Sequence, residues 1–396
     1  MSENMKGFKF VNEVYKDPIR KVKELRGKTG RKIIGYICAY PPLEILTAAD
    51  TIPFRVFGDV NEPITEGNRI LPPVICSYVR SIVDLGMKGR FDFLDGLIWS
   101  HSCDCMHKGG FVYTSCVSKP VHYILEIPTT TSEEAINFFK YELMEFKGWL
   151  EKLLGREFSM DCLKEAIEKH NRQRELVKRL YDLKREDPPL ITGTDTLKII
   201  SVIEALPVEE GNRILEEVLE EAEEYGSRPK KRGARLMIWG SIIDSPALLQ
   251  IIEENGAYVV VDDTCVCSRQ FWLHSNNPHV KTTGDLMENL AKRYLIEVKC
   301  PRLYIGSYGT LKKDYKRDLE ERFGYLKDYI SKWKVDGVIL HSLRCCDVHG
   351  YEVPQVKDYL DMLGIPSIYI EPEYDAKTLP PLKTRIQAFL ETLSQL

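Results

Sequence analysis

Several features that would assign this chain to a common class are missing. The formal net charge is only -4, so no basic surplus indicates binding to nucleic acid. No apolar run approaches the roughly 18 residues that cross a bilayer. The N-terminal stretch, MSENMKGFKFVNEVYKD, lacks the apolar segment of a signal peptide. From these absences we expect a cytoplasmic protein with no nucleic-acid or membrane partner.

Two common catalytic motifs are also missing. The segment RGKTG at 26–30 is similar to a phosphate-binding loop, but Val22 occupies the position of its first glycine. No C-x-x-C pair occurs, so a thioredoxin-type dithiol is not indicated. If the reaction needs ATP, we therefore expect another protein to hydrolyse it.

The order of apolar and amphipathic segments predicts an α/β protein. Short apolar runs alternate with helical patterns over 31–130 and again over 233–396, which is typical of parallel sheets of the flavodoxin or Rossmann type. Helical periodicity fills 131–232, and a Lys-rich helical segment occupies 1–30. We predict two α/β domains joined by a helical segment, with a cofactor site between them.

The chain contains 11 cysteines, which is many for a compartment in which disulfides are rare. Three apolar strand candidates each run into a cysteine pair, in GLIWSHSCDC, YVVVDDTCVC and GVILHSLRCC. The pairs are Cys103 with Cys105, Cys265 with Cys267, and Cys345 with Cys346. Because open parallel sheets bind ligands beyond the carboxyl ends of their strands, we expect the pairs to converge on one cofactor.

The spacing of these thiols leaves three interpretations open. Iron–sulfur clusters accept widely separated cysteines, structural zinc sites use closer C-x(2–4)-C pairs, and free cysteines are often simply buried. Cys76 precedes a predicted helix and Cys300 follows an apolar run, so each fits either ligation or core packing. We expect Cys38 and Cys162 to be core residues.

Three histidines flank the strand-end cysteines. His101, His107 and His341 are candidates for acid–base catalysis, and the alternative is a loop histidine bonded to the backbone. His101 and His341 are therefore weak candidates for catalytic residues.

Five sequence blocks from about residue 31 onward carry a family resemblance: CSYVRS, SHSCDCMHKG, IEENGAYVVVDDTCVCSR, AKRYLIEVKCP and the block that begins VDGVILHSLRCCDVHG. The last block is the most specific, with Cys-Asp after a strand and R-x-x-A-F near the end of the chain. In these blocks the chain resembles the 2-hydroxyacyl-CoA dehydratase/benzoyl-CoA reductase family. That family includes the 2-hydroxyglutaryl-CoA dehydratase D-component and the double-cubane cluster proteins.

The resemblance implies an iron–sulfur subunit of an anaerobic radical enzyme. Such enzymes form a ketyl-type radical on a CoA thioester and then either lose water, as lyases, or reduce an aromatic ring, as oxidoreductases. The implied partners are an identical or paralogous second subunit and a separate ATP-hydrolysing iron–sulfur activator. The family's cluster cysteines map onto Cys76, Cys103 and Cys346, and three thiolates leave one iron of a [4Fe-4S] cluster open.

The chain departs from the dehydratase pattern at two positions. Cys267 replaces a glycine, and Cys345 replaces an aromatic residue. Cys265, Cys267, Cys300 and Cys345 are therefore either non-ligating cysteines around the cluster or ligands of a larger [8Fe-9S] double cubane.

Relatives with the double cubane carry an extra cysteine between the positions of Cys76 and Cys103. Residues 77–102 contain none, so Cys105 or Cys116 is the candidate substitute. Two alternatives to the dehydratase or reductase therefore stay open: a double-cubane protein that reduces small molecules, and a non-catalytic partner subunit that carries a cluster.

Overall fold

A computed structural model describes residues 6–225, 233–303 and 314–395 of the chain. The first sheet is built from β1 (Ile33–Tyr36), β2 (Ile52–Arg55), β3 (Gly96–His101) and β4 (Val121–Glu126). Its strands are all parallel and lie in the order β2-β1-β3-β4. The strand order therefore reverses between β1 and β3, where a crevice opens at the carboxyl ends.

The second sheet repeats this topology. It consists of β5 (Arg235–Gly240), β6 (Tyr258–Asp263), β7 (Gly337–His341) and β8 (Ser367–Ile370). The strands are again parallel, in the order β6-β5-β7-β8, and the reversal lies between β5 and β7. The predicted fold class, α/β with two parallel-sheet domains, is confirmed.

Fifteen α-helices in the described parts of the chain surround the sheets. Those before β5 are α1 (Lys6–Lys16), α2 (Pro18–Thr29), α3 (Leu43–Ala48), α4 (Glu66–Ile70), α5 (Ser77–Met87), α6 (Asp104–Cys116), α7 (Glu133–Leu154), α8 (Met160–Asp182), α9 (Gly193–Ile203) and α10 (Val208–Tyr225). Those after it are α11 (Ala247–Glu254), α12 (Leu286–Glu297), α13 (Tyr315–Trp333), α14 (Asp347–Met362) and α15 (Pro380–Leu393). Among the described residues, two short 3-10 helices span Leu183–Arg185 and Ala376–Thr378.

Burial explains why apolar runs predict the strands so well. Every residue of β1, β2, β5 and β7 is buried, because helices cover both faces of a parallel sheet. The apolar pattern predicts a strand at Leu94–Trp99, and the strand lies two residues further along, at Gly96–His101. Helical periodicity predicts a long helix near 312–334. The helix spans Tyr315–Trp333, and positions 312–313 lie outside the described residues.

Helix α6 carries two of the cysteines, and two glycines allow it to pack closely. A Cβ on Gly109 would lie 2.2 Å from Val79 Cγ1, and one on Gly110 would lie 2.6 Å from Trp99 Cδ1. Real Cβ atoms do not approach other atoms so closely. Helix α6 can therefore pack this tightly against α5 and β3 only because positions 109 and 110 have no side chain. The glycines therefore fix the start of α6 against the carboxyl end of β3.

The two sheets share their hydrophobic core. One cluster of buried side chains joins Leu97 and Trp99 of the first sheet to Ile238 and Val338 of the second. A second cluster joins Tyr36 to Leu290 of α12. Packing across the two domains holds the carboxyl ends of both sheets in one arrangement. Among the described helices, none has the length and apolarity that crossing a membrane requires.

Candidate metal centre

A cavity of about 90 Å³ lies where the carboxyl ends of the two sheets meet. Eight cysteines line it: Cys38, Cys76, Cys103, Cys105, Cys265, Cys300, Cys345 and Cys346. Apolar side chains, among them Ile37, Val79 and Leu343, form much of the remaining wall. Cysteines from distant parts of the sequence therefore line one shared cavity between the domains.

Three of these cysteines begin helices. Cys76 is the N-cap residue of α5, Cys103 of α6 and Cys346 of α14. The Cys103 sulfur accepts a hydrogen bond from the Met106 backbone N–H at 3.4 Å. A helix N-terminus carries a partial positive charge, which favours a thiolate over a thiol. The three residues that the family resemblance selects as cluster ligands share this one structural setting.

Backbone contacts link cysteines from different elements. The Cys76 backbone N–H donates to Cys105 Sγ at 3.5 Å, and the Cys105 thiol donates to the Cys345 carbonyl oxygen at 3.8 Å. Since Cys105 belongs to the first domain and Cys345 to the second, the cysteine loops of the two domains are in direct contact.

Two lining cysteines have a left-handed backbone. The φ angle is 80° at Cys38 and 61° at Cys345, a region that residues with a Cβ seldom occupy. Such strain persists where surrounding structure imposes it, and it concentrates at functional sites. Cys38 follows β1 and Cys345 follows β7, so both strained residues lie beside the points where strand order reverses.

A buried guanidinium contacts the sulfur of Cys265. Arg269 Nη1 donates to Cys265 Sγ at 3.3 Å, while its Nε donates to the Asp263 carboxylate at 3.1 Å. A second buried arginine, Arg55, also lines the cavity and donates to the Cys265 carbonyl oxygen at 3.3 Å. These cations offset negative charge that thiolates would bring into the cavity.

His349 connects Arg269 to Cys346. Arg269 Nη1 lies 3.0 Å from His349 Nε2, and His349 Nδ1 lies 3.3 Å from Cys346 Sγ. Because a guanidinium can only donate, Nε2 must accept, and the proton of the neutral ring is on Nδ1. The Nδ1–H therefore donates to the Cys346 sulfur. Burial lowers the pKa of His349 well below its usual value, with Arg269 adding to the effect, which keeps the ring neutral.

Burial raises the pKa of four cysteines at the cavity, Cys76, Cys103, Cys300 and Cys346. Burial raises the pKa of Cys76 and of Cys300 to about 12. Burial also raises the pKa of Cys103 and of Cys346 well above its usual value, and neighbouring cysteines contribute in both cases. Several thiolates could therefore coexist here only with a cation bound among them.

Most of the cysteines predicted to bind a cofactor or metal line the cavity. Two of the predicted cysteines, Cys116 and Cys267, do not. Cys116 is exposed at the end of α6. Cys267 is buried beside a separate small cavity that Lys184 and Asp262 also line. Cys162, expected in the core, is exposed.

The predicted histidines lie outside the cysteine cavity. His341 is buried at the end of β7 with Nδ1 3.2 Å from the Ser241 hydroxyl, and burial lowers its pKa to about 4. His101 ends β3 and contacts His107 and Glu126 instead.

Sequence reasoning missed four residues of the site. Cys38, taken as a core residue, lines the cavity, and so do Arg55 and His349, while Arg269 contacts its wall. Cys38 is the residue that a sequence signal could have identified, because it follows an apolar strand as the paired cysteines do.

A larger cavity of about 690 Å³ has no cysteine in its lining and shares one residue, Arg55, with the cysteine cavity. Tyr15, Asp59, Asp244 and Tyr374 are among the residues that line it. Arg55 is therefore the residue through which the two cavities are connected.

Comparison with known proteins identifies the family. Residues 38–393 match the family described as 2-hydroxyglutaryl-CoA dehydratase, D-component. The chain belongs to this family. The resemblance drawn from the sequence motifs is therefore confirmed.

Relatives in the 2-hydroxyglutaryl-CoA dehydratase D-component family match almost the whole chain. The (R)-phenyllactyl-CoA dehydratase beta subunit of Clostridium sporogenes is 28% identical over 396 residues, 99% of this chain and 100% of the relative. One of the benzoyl-CoA reductase subunits of Thauera aromatica is 28% identical over 92% of this chain and 91% of its own. The (R)-2-hydroxyglutaryl-CoA dehydratase subunit beta of Acidaminococcus fermentans is 24% identical over 92% of this chain and 93% of the relative.

Proposed function

We propose that this chain is the iron–sulfur subunit of an enzyme that acts on CoA thioesters, either by dehydrating 2-hydroxyacyl-CoA or by reducing the ring of benzoyl-CoA. One observation carries the proposal: eight cysteines face one cavity between the two domains of a family member. Relatives named as subunits of CoA-thioester dehydratases and of benzoyl-CoA reductase supply the two candidate reactions. The many free thiols suit a reducing, cytoplasmic compartment.

The donor set fits an iron–sulfur cluster better than a single zinc ion. A tetrahedral zinc with Zn–S bonds of about 2.3 Å needs sulfurs about 3.8 Å apart. In the described parts of the chain, the group that brings three possible ligand atoms within 4.8 Å is His101, His107 and Glu126, and it contains no cysteine. Among the described residues, no three of the cavity sulfurs lie that close together, which suits a cluster of several iron atoms better than one small ion.

Cys76, Cys103 and Cys346 would hold the cluster, each at a helix N-terminus. A bound [4Fe-4S] cluster would supply one-electron transfer and, with three protein ligands, an open iron position. The chain's own residues would balance its charge: Arg269 beside Cys265, and the His349 N–H that donates to the Cys346 sulfur. Ile37, Val79 and Leu343 would keep water from the site.

The number of lining cysteines favours a second candidate, a double-cubane [8Fe-9S] protein that reduces small molecules. That cluster takes six thiolates, and the cavity offers eight. Cys38 supplies a sulfur beyond those that the sequence pattern selects, and of the two candidate substitutes it is Cys105, not Cys116, that lines the cavity. The variants Cys38→Ser and Cys105→Ser separate the candidates, because a single cubane on Cys76, Cys103 and Cys346 keeps its iron in both. A loss of about half the iron in either variant would favour the double cubane.

The partners follow the family. We propose a second subunit, identical or paralogous, and a separate ATP-hydrolysing iron–sulfur activator that delivers the electron. Relatives whose names describe them as single subunits of larger enzymes support the first of these. In the third candidate function, the chain carries a cluster beside a catalytic subunit and does no chemistry itself.

The test is an anaerobic assay of the chain with its co-expressed partner, activator, ATP and a strong reductant. Each mixture receives a 2-hydroxyacyl-CoA or benzoyl-CoA. We expect turnover of one class and its loss in Cys103→Ser. Turnover of neither class would overturn the proposal, and turnover that persists in Cys103→Ser would favour the non-catalytic role.

A further inference from the structure

A second cluster of metal-binding side chains lies outside the cysteine cavity. His101, His107 and Glu126 bring their ligand atoms within 4.8 Å of one another. We infer that these three residues bind a divalent transition-metal ion of the zinc type, at a site separate from the cysteines. The inference does not depend on the proposed function.

The fold explains why the three side chains meet. His101 and Glu126 are register partners at the last positions of the parallel strands β3 and β4. Their side chains are in contact, with His101 Nδ1 2.6 Å from Glu126 Oε2. The chain then turns back through Ser102 and Cys103 into α6, whose first turn carries His107 above the strand end. The His101 and His107 rings stack with centroids 3.7 Å apart and planes 11° apart.

The donor types select the metal. Two imidazoles and one carboxylate form a ligand set that zinc uses in sites with one open position. Imidazole also suits other first-row divalent ions, whereas thiolates favour iron–sulfur clusters. The chain therefore presents two donor sets of different softness, one of nitrogen and oxygen and one of sulfur. A different metal can occupy each.

Binding requires only small side-chain movements. Zinc bonds of about 2.1 Å draw tetrahedral ligand atoms to about 3.4 Å from one another. The distance between His101 Nδ1 and Glu126 Oε2, now 2.6 Å, must therefore increase slightly. The stacked His107 ring must also rotate toward the ion. All three residues are half-buried, with 22% of the His101 side chain and 42% of the Glu126 side chain exposed, so such rotation meets little resistance. The Phe111 ring, with its centroid 4.7 Å from that of His107 and its plane at 78°, limits how far the His107 ring can turn away.

An ion here would join three elements. It would tie the ends of β3 and β4 to the first turn of α6, and Cys103 lies between the two histidines in the sequence. The segment that presents Cys103 and Cys105 to the cavity would then be held from its solvent side as well. Zinc would act as a positioning element for these two thiols, and its exposed face would keep a position open to water.

The experiment is a zinc titration of the full chain, purified without oxygen and washed with chelator, followed by zinc X-ray absorption. We expect one zinc per chain with nitrogen and oxygen ligands. His107→Ala and Glu126→Gln should each weaken this site at least about 10-fold, since even loss of an outer partner of a ligand has that effect. Glu126 is exposed enough for its variant to fold if His107→Ala does not.

His279→Ala is the matched control. His279 also contacts a carboxylate, with Nε2 2.9 Å from Glu175, but it is exposed and belongs to no such group of three in the described parts of the chain. This variant should bind zinc as the unmodified chain does. The inference would be overturned by zinc that is coordinated by sulfur alone or by a chain that retains no zinc. It would also be overturned if His107→Ala and Glu126→Gln bound zinc as tightly as the unmodified chain.

Discussion

His349 donates a hydrogen bond to the sulfur of Cys346, with Nδ1 3.3 Å from Sγ. The direction follows from the other side of the ring, where Arg269 Nη1 donates to Nε2 at 3.0 Å. A donor at a ligand sulfur stabilises the extra negative charge that a cluster gains on reduction. In the proposed iron–sulfur site, this contact would therefore link the buried pair of Arg269 and Asp263 to the ease with which the cluster accepts an electron.

The variant His349→Phe keeps a ring but removes this donor. We expect the cluster to be retained and its reduction potential to become more negative, because the reduced state loses a stabilising hydrogen bond. A potentiometric titration followed by EPR measures this. The exposed residue His279 provides the control variant, His279→Phe, whose potential should not move. An unchanged potential in His349→Phe, with iron content intact, would contradict the assigned hydrogen bond.

Cys346→Ser and Cys76→Ser should each lose most of the bound iron. Both residues cap helices at the cavity, and a [4Fe-4S] cluster with three protein ligands has none to spare. Iron and acid-labile sulfide per chain, measured after anaerobic purification, give the result. Cys116→Ser is the control because Cys116 is exposed away from the cavity, and it should keep all of its iron. Full iron in Cys346→Ser would exclude that residue as a ligand.

Arg269→Gln should destabilise the fold strongly. The Arg269 Nε–Asp263 Oδ1 pair is 3.1 Å long and almost completely buried, so the variant leaves an uncompensated carboxylate inside the protein. Removing one partner of a buried pair costs about 3–5 kcal/mol of unfolding free energy. Urea denaturation measures the loss, and the double variant Arg269→Gln/Asp263→Asn should recover part of it.

The control for this prediction is Arg317→Gln. Arg317 pairs with Glu321 at 3.0 Å, but both side chains are exposed, so solvent screens the pair and little stability depends on it. Similar denaturation midpoints for Arg269→Gln and Arg317→Gln would contradict the argument from burial.

The stability of the fold should fall as the pH drops below neutral, and His170 is one cause. Burial lowers the pKa of His170 to about 4, and its Nε2 lies 2.9 Å from the Thr47 hydroxyl. His170 binds a proton at a higher pH in the unfolded chain than in the folded one. Its contribution to stability is therefore complete above the unfolded pKa of about 6.5, and it is lost as the pH falls toward the folded pKa. His341, whose pKa burial also lowers to about 4, acts in the same direction.

The variant His170→Gln should flatten this pH dependence. Between about pH 7.5 and about pH 5.5, the unmodified chain should lose about 1 kcal/mol more unfolding free energy than the variant. Thermal denaturation at the two pH values gives the comparison. An identical pH dependence in both proteins would show that His170 is not the buried neutral group described above.

The sequence was most informative where burial and topology act together. Parallel strands buried on both faces read as apolar runs, and their carboxyl ends meet, so the convergence of distant cysteine pairs could be expected. Helices α6 and α14 were not predicted, because α6 contains two glycines and α14 contains Pro354. For the same reason the N-cap positions of Cys103 and Cys346 were not foreseen.

Other parts of the site depend on contacts that no sequence spacing encodes. Cys38 has no neighbouring cysteine, so the apolar strand before it is its one sequence signal, and β1 lies beside β3 at the reversal of strand order. Arg55 and Arg269 are charged residues that only tertiary contacts bring into the interior. The domain boundaries at residues 30, 130 and 232 stay predictions.

The central claim is that thiols from both domains bind iron together in one cavity. Anomalous diffraction at the iron edge, from crystals grown without oxygen, tests it most directly. We expect anomalous peaks inside the cavity, within bonding distance of Cys76, Cys103 and Cys346. Crystals without iron signal, or with iron bound elsewhere on the chain, would contradict it.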